Sequence, residues 1–277
     1  MVTEITGKAT VSDIVFSKIH KGSAALQVAR LYPFTGSQEL IAYNYNGEDA
    51  RYHDGKENTE KVISDDQLTE VNIITKTLYK WLEFSDREWA DNRVVANAIE
   101  NQTAFDLYRT LDKDAVAGQD LVPSSAFAGY TTSPLAIDGT AASVLAAVDA
   151  VASNGYQATA AILDVSFKPT LREAFVENTN TNQLGVSIGD GTFIGDVPVY
   201  FRNLGAGVGL VGDFDKLIVA YNNDLNVVRY LADSDAYQGR RNKNAIKVSW
   251  QVGVGVADQA AFQPVTLATA DDEDNGE

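Results

Sequence analysis

The sequence predicts an α+β fold, and three observations carry that reading. An amphipathic run from Asn92 to Ala117 has the period of a long helix. An order of helix, strand, helix follows between Thr140 and Val176, and short β-branched strands broken by glycine fill the chain from Gly185 to Ala268. The 277 residues suffice for one large or two modest domains at about 150 residues each.

In chain order, residues 1–36 hold few long periodic runs, and "ARLYPFTG" closes on a Pro and Gly turn signal. This part is expected to be an extended N-terminal arm, with "VSDIVFSKI" as a short helix or strand within it. Over residues 37–75, tyrosines and β-branched residues flank a polar tip "DGKEN", where Asp54-Gly55 is a hairpin-turn pair. The flanks carry too few apolar residues for a core, so the hairpin should project or lie on a neighbour. "SDRE", Ser85 to Glu88, fits a capping box. The helix beyond it spaces Val95, Ala98, Ile99, Gln102, Phe105, Tyr108 and Leu111 at three and four, and would be about 39 Å long at 1.5 Å per residue. Thr140 is the expected N-cap of a second helix that stops at Asn154-Gly155; the strand "ATAAILDVSF" follows, and Pro169 opens a short helix. The strands after it end at "FQPVTLA", and the acidic tail, residues 269–277, is expected to be disordered. No solenoid-type repeat is present.

Composition removes several classes of chemistry. With no cysteine, disulfides, thiolate catalysis, zinc ribbons and iron–sulfur clusters are excluded, and the two histidines, His20 and His53, leave little for a His-based metal site or a serine triad. A net charge of −16, from 22 Lys+Arg against 38 Asp+Glu, argues against a protein whose main task is gripping phosphate backbones. No apolar run reaches the roughly 18 residues of a membrane helix, the mean hydropathy is −0.15, and the N-terminus lacks a secretion signal. A cytoplasmic protein without membrane partners is expected, and Met1, the one methionine, reads as the initiator.

Each motif with chemical meaning has a structural reading beside it. "GVGLVG" matches G-x-G-x-x-G at Gly207, Gly209 and Gly212, yet "DFDKLIVAY" follows as a strand rather than the helix a dinucleotide fingerprint requires. Asp213 and Asp215 could share a divalent cation as nucleotidyl transferase carboxylates do, but only Lys216 is nearby to meet a triphosphate, and the structural reading is a turn that launches a strand. "GDG" at Gly189 to Gly191 lacks a calcium-loop frame, and His20 beside Lys21 reads as a surface histidine. Trp81, Trp89 and Trp250 are expected in core or subunit contacts, and Lys56 and Lys61 become interface residues if the hairpin docks on a neighbour.

The segment "GDFDKLIVAYNNDLNVVRYLADSDAYQGRRNKNAIKVSWQVGVGVADQAAFQPVTLA", Gly212 to Ala268, resembles the C-terminal part of major capsid proteins of tailed bacteriophages, the Hong Kong 97 fold. The likeness rests on a "GDF" turn, an apolar strand, an Asn-led strand, and a closing phrase carried by Asp258, Ala261, Phe262 and Val265 or Leu267. "AILDVSFKPTLREAF" with "FIGDVPVYF" looks like the family's axial domain. The resemblance implies an N-terminal arm (1–36), an extended hairpin loop (37–75), a peripheral domain (76–124 and 232–268), an axial domain (125–231) and the tail (269–277). It makes the "GDF" segment structural, with Asp213 capping a turn and Asp215 starting a strand. Some capsids of this fold join a hairpin lysine to an asparagine that opens the last long strand, helped by a glutamate on that strand. Asn244 looks like that asparagine and Lys56 or Lys61 like the lysine, but the strand offers Gln251 and no Glu, so a shell without covalent staples is expected.

The implied function is an icosahedral head shell, self-assembled from hexamers and pentamers in the host cytoplasm, that encloses double-stranded DNA without sequence-specific binding. No cofactor is expected. Met1 directly before the arm suggests no cleaved assembly domain, so a separate scaffolding protein is expected, together with a portal and decoration proteins. The alternatives are an encapsulin-like cargo shell and, in another class, a metal-dependent nucleotidyl transferase using Asp213 and Asp215.

Overall fold

A computed structural model describes residues 11–35, 39–46, 67–117, 135–171, 192–205, 207–231 and 243–268. Its organising element is the strand β12 (Lys243–Val256), whose alternate residues are buried on both faces. Along one edge it pairs antiparallel with β4 (Lys76–Ser85), from Lys243 opposite Ser85 to Val252 opposite Lys76. Along the other it pairs with β11 (Asn226–Tyr230) and then β10 (Leu217–Asn222), and β1 (Arg30–Phe34) adds in parallel to β10.

The even-numbered face of β12 is apolar: Ile246, Val248, Trp250, Val252 and Val254 are buried in the main core. Helices cover it. α1 (Val11–Gly22) contributes Val15 and Ile19, and the long helix contributes Leu107 and Leu111. Within the expected arm, the short helix or strand read over Val11–Ile19 is the helix α1, and α2 (Ala24–Val28) and the core-sheet strand β1 follow it. The apolar stripe of α1 is short, and its burial depends on a partner about 90 residues away in the chain. The expected helix over 92–117 is present as α4 (Asn92–Asn97), a π-helical turn (Ala98–Thr103) and α5 (Ala104–Ala117). At the π turn the Thr103 hydroxyl donates to the Ala98 carbonyl at 3.2 Å. Ahead of it stands α3 (Asp86–Ala90), entered through the capping box between Ser85 and Glu88.

The odd-numbered face of β12 ends in Gly253 and Gly255, where a Cβ would lie 2.9 and 2.7 Å from Ile73 atoms. Those glycines form the seat of the hairpin. Its arms, β2 (Glu39–Asn46) and β3 (Gln67–Ile74), pair from Glu39 opposite Ile74 to Asn46 opposite Gln67. Ala42, Val71 and Ile73 are buried with Phe34, Ile218 and Ala220, so the hairpin base lies on its own subunit's sheet, a contact not expected from its thin apolar content. Asp54-Gly55, Lys56 and Lys61 lie outside the described residues.

A second sheet runs β5 (Leu135–Ile137), β13 (Phe262–Leu267), β9 (Val208–Gly212), β6 (Ala160–Asp164), β8 (Val197–Arg202), β7 (Thr192–Ile194). One face is covered by α6 (Ala141–Ser153), through Val144, Ala147 and Val151. Thr140 caps α6 by accepting from the Ser143 N–H, and Asn154 with Gly155 at φ 84° ends it, as expected. β10 and β11 lie in the sheet of β12, while β13 lies in the sheet of β9 and β6.

One buried carboxylate ties the helices to the second sheet. Asp112 of α5 is 0% exposed and accepts from Ser23 Oγ at 2.6 Å and from the Ala24 and Ala25 N–H groups at 3.0 Å. Arg202 Nε of β8 donates to it at 3.2 Å. Burial pushes its pKa up, against the pull of these four donors. Asp112→Ala leaves all four unpaired and is expected to cost about 3 kcal/mol, read from chemical denaturation.

His20 packs edge-on against Phe16, at 4.5 Å between ring centroids, and Tyr221, at 5.1 Å, and its Nε2 is buried without a hydrogen-bond partner. Burial lowers its pKa from 6.5. As pH falls below that value the unfolded chain binds a proton here that the folded chain does not, so stability drops from about pH 7 toward 5. His20→Phe is expected to flatten that limb of a Tm-against-pH profile.

Candidate assembly surface

The hairpin base covers only the C-terminal half of the odd face of β12. Over the other half, registers place Tyr79 beside Ser249, Trp81 beside Lys247, and Tyr230 beside Ala245, all on that face. Tyr79 is 61% exposed and Trp81 36%, large values for aromatic residues in mid-strand. The Trp81 ring lies 4.8 Å from Tyr230, and Lys247 Nζ sits 5.2 Å from the centre of the Tyr79 ring. This is an aromatic platform with one cation. The hairpin adds Ile41 and Ile74, both exposed.

Of the expected contact residues, Trp81 lies on this platform. Trp89 does not: it is half-buried on α3, 6.0 Å from Phe84, at the rim of the main core. Trp250 is fully buried and donates its Nε1–H to the Asn222 carbonyl at 2.7 Å. Tyr79, Tyr230 and Lys247 escaped the sequence reading. The signal was in "KTLYKWLEF", where apolar residues occupy both alternating sets and so mark a strand with two apolar faces.

Asn244 and Gln251 are not brought together, since seven positions along a regular strand put them on opposite faces. Asn244 is 7% exposed, and its amide donates to Asp86 Oδ1 at 3.0 Å. Asp86 of α3 thus holds the Asn244 amide inside the subunit. Gln251 is half-buried opposite Thr77.

Asp213 and Asp215 are parts of a turn. Asp213 Oδ1 accepts the Asp215 N–H at 3.1 Å and caps a 3₁₀ turn, Phe214–Lys216. Asp215 sits within that turn, and β10 begins at Leu217, two residues later than expected. Among the described residues no group of three His, Asp or Glu side chains could hold a metal ion. The glycines before it also serve packing: at Gly209 and Gly212 a Cβ would stand 2.6 Å from Leu163 and 2.4 Å from Phe262. The closing phrase has a similar role. Asp258 accepts the Ala260 N–H and the Tyr156 hydroxyl, raising the Tyr156 pKa to about 12, and Phe262 packs edge-on against Phe214. Asp213→Ala is expected to cost about 1 kcal/mol of stability and leave Mg²⁺ or Mn²⁺ titration calorimetry unchanged.

No family model matches the sequence, and no curated protein does. Solved structures do match. A chain from Microbacterium phage Oxtober96 superposes with a TM-score of 0.64 at 13% identity, covering 97% of this chain and 95% of that one. A chain from Mycobacterium phage Bobi gives 0.63 at 14% identity, with 98% and 95% covered. A chain from the capsid of a native GTA particle gives 0.60 at 15% identity, with 96% and 94% covered. The chain thus has, over nearly its whole length, the α+β fold of these phage and capsid chains.

Proposed function

We propose that this protein is a major capsid protein that self-assembles into the icosahedral head shell of a tailed phage, enclosing double-stranded DNA. The observation that carries the reading is the fold shared end to end with a chain of the GTA capsid, with no large unmatched segment on either side. The exposed aromatic platform and the exposed Ile41 and Ile74 of the hairpin fit it, because they are apolar surfaces that one copy leaves uncovered. The 1–36 arm, 37–75 hairpin loop, peripheral and axial regions are proposed as the parts that meet neighbours in hexamers and pentamers. A separate scaffolding protein, a portal and decoration proteins are the proposed partners, and the host cytoplasm the site of assembly. The role is structural rather than catalytic, since the acids that suggested a metal site serve as turn caps. Covalent staples are not part of the proposal, because the buried amide of Asn244 is committed to Asp86.

An encapsulin-like cargo shell would use the same fold, and the content of the particles separates the two. Negative-stain electron microscopy of the concentrated chain, alone and co-expressed with its genomic neighbours, is expected to show closed particles, hexamers or pentamers that denature to single chains. A monomer under every condition overturns the shell reading, and a packaged enzyme in place of DNA selects the encapsulin.

A further inference from the structure

A basic cleft lies where β4 crosses α5. Its volume is about 420 Å³, and Lys80, Arg109 and Lys113 line it with one acid, Asp106. That acid is already committed: Lys80 Nζ meets its Oδ2 at 2.8 Å, and the Gln102 amide donates to its two oxygens at 3.3 and 3.4 Å. Arg109 and Lys113 form no ion pair among the described residues, so the cleft keeps two positive charges in a chain of net charge −16.

Helix geometry places the two cations. Positions 109 and 113 are one turn apart on α5, about 6 Å at their Cβ atoms, on the side turned away from Leu107 and Leu111, which are buried in the main core. Arg109 is exposed, and it also lines a second pocket of about 250 Å³ between α5 and β8, where Arg202 is held by Asp112 at 3.2 Å. It therefore tops a ridge between two hollows, and a row of cations on a ridge suits a long polyanion better than a small enclosed one. An acidic peptide is the poorer match, because the side chains of an extended strand alternate between opposite sides, whereas each strand of a DNA duplex carries a phosphate on every nucleotide. Arginine's planar fork meets phosphate through two parallel N–H donors, and lysine meets it as a point charge. Apart from Tyr79 at its rim, the cleft is separate from the aromatic platform: α5 covers the even face of β12, and the platform lies on the odd one. A neighbour seated on the platform leaves the outer side of α5 uncovered.

We propose that Arg109 and Lys113, with Lys80 beside them, form a contact site for the phosphate backbone of double-stranded DNA. The source of the DNA rests on the shell reading, and in a closed shell the site makes the outer side of α5 part of the inner wall. Contacts to phosphate carry no sequence information, and the acidity of the rest of the chain keeps them weak and local. DNA against such a wall is held at a few points per copy and remains free to slide.

Fluorescence anisotropy of a labelled short DNA duplex of mixed sequence, titrated with the full dispersed chain, tests the site without requiring assembly. At about 0.05 M salt a dissociation constant of about 10⁻⁴ M is expected, the weak end of the non-specific range, and log affinity should fall against log salt with a slope of about −2, one phosphate for each unpaired cation. R109Q/K113Q should weaken binding at least about tenfold, and the control K21Q should leave it unchanged. No binding, equal binding by R109Q/K113Q, or a salt slope near zero overturns the proposal, and the slope of the unaltered chain decides even if the double variant does not fold. Displacement of the duplex by a polyglutamate peptide at equal charge concentration also overturns it, since the site then serves an acidic protein. Electron microscopy of the same preparation separates the two readings. Particles whose chain binds no DNA overturn the site alone, DNA binding by a chain that never assembles overturns the shell alone, and duplex bound to the outside of closed particles overturns the inner-wall placement.

Discussion

The structure depends on β12 having to bury both of its faces. Its even face carries Ile246, Val248 and Trp250, which only a helical layer can cover, and α1 with α5 supplies it. The odd face changes character along its length. Near Lys247 it carries the partly exposed rings of Tyr79, Trp81 and Tyr230, while at Gly253 and Gly255 it has no side chains and admits the hairpin base to van der Waals contact. Side chains at those positions would hold β3 off the sheet, and Val71 and Ile73 would lose their burial. The place where the hairpin base rests on the sheet is thus set by two missing Cβ atoms.

Five of the aspartates share one local structural use. Asp91, Asp138, Asp164, Asp213 and Asp258 each accept the N–H two residues ahead, and all but Asp138 open a helix or 3₁₀ turn in doing so. An aspartate side chain is short enough to mimic a backbone carbonyl at this spacing, so the motif recurs wherever a strand must turn. Asp164 goes further and accepts the Leu204 and Gly205 N–H groups; burial raises its pKa, and these bonds with those from Ser166 outweigh it and leave it lowered. Pairs of acids near glycine therefore resembled metal sites in the sequence because turn chemistry and cation binding call on the same residues.

What could be read in advance was local. The capping box at Ser85 and Glu88, the Thr140 cap and the stop at Asn154-Gly155 depend on bonds within four residues, and all are where the sequence placed them. The overall α+β class was legible for the same reason, since helical and strand periods are local. Partnerships were not. That β10 joins β12 while β13 returns to β9 depends on pairings between distant segments, which no local period marks. The run at α1 was read as a short helix or strand but not as a core element, because its few apolar residues gain meaning only against α5, and Asp112 went unnoticed because nothing local marks an acid whose donors sit about 90 residues away. At the candidate surface Trp81 was found by type, whereas Tyr79 and Tyr230 required the register.

On the proposed shell reading, the partial exposure of the platform bears on how copies of this chain associate. A few aromatic rings left open on the sheet and two isoleucines on the hairpin are small patches, and at about 25 cal/mol per Å² one such contact is offset largely by the entropy lost on association. Pairs of copies should therefore form and separate freely, which lets misplaced copies leave a growing shell. A copy held on several sides at once loses that freedom only once, while its contacts add. On that reading, covering the platform more fully within the subunit would make a more stable monomer and a poorer shell, and the open half of the β12 sheet is the surface proposed to meet neighbours.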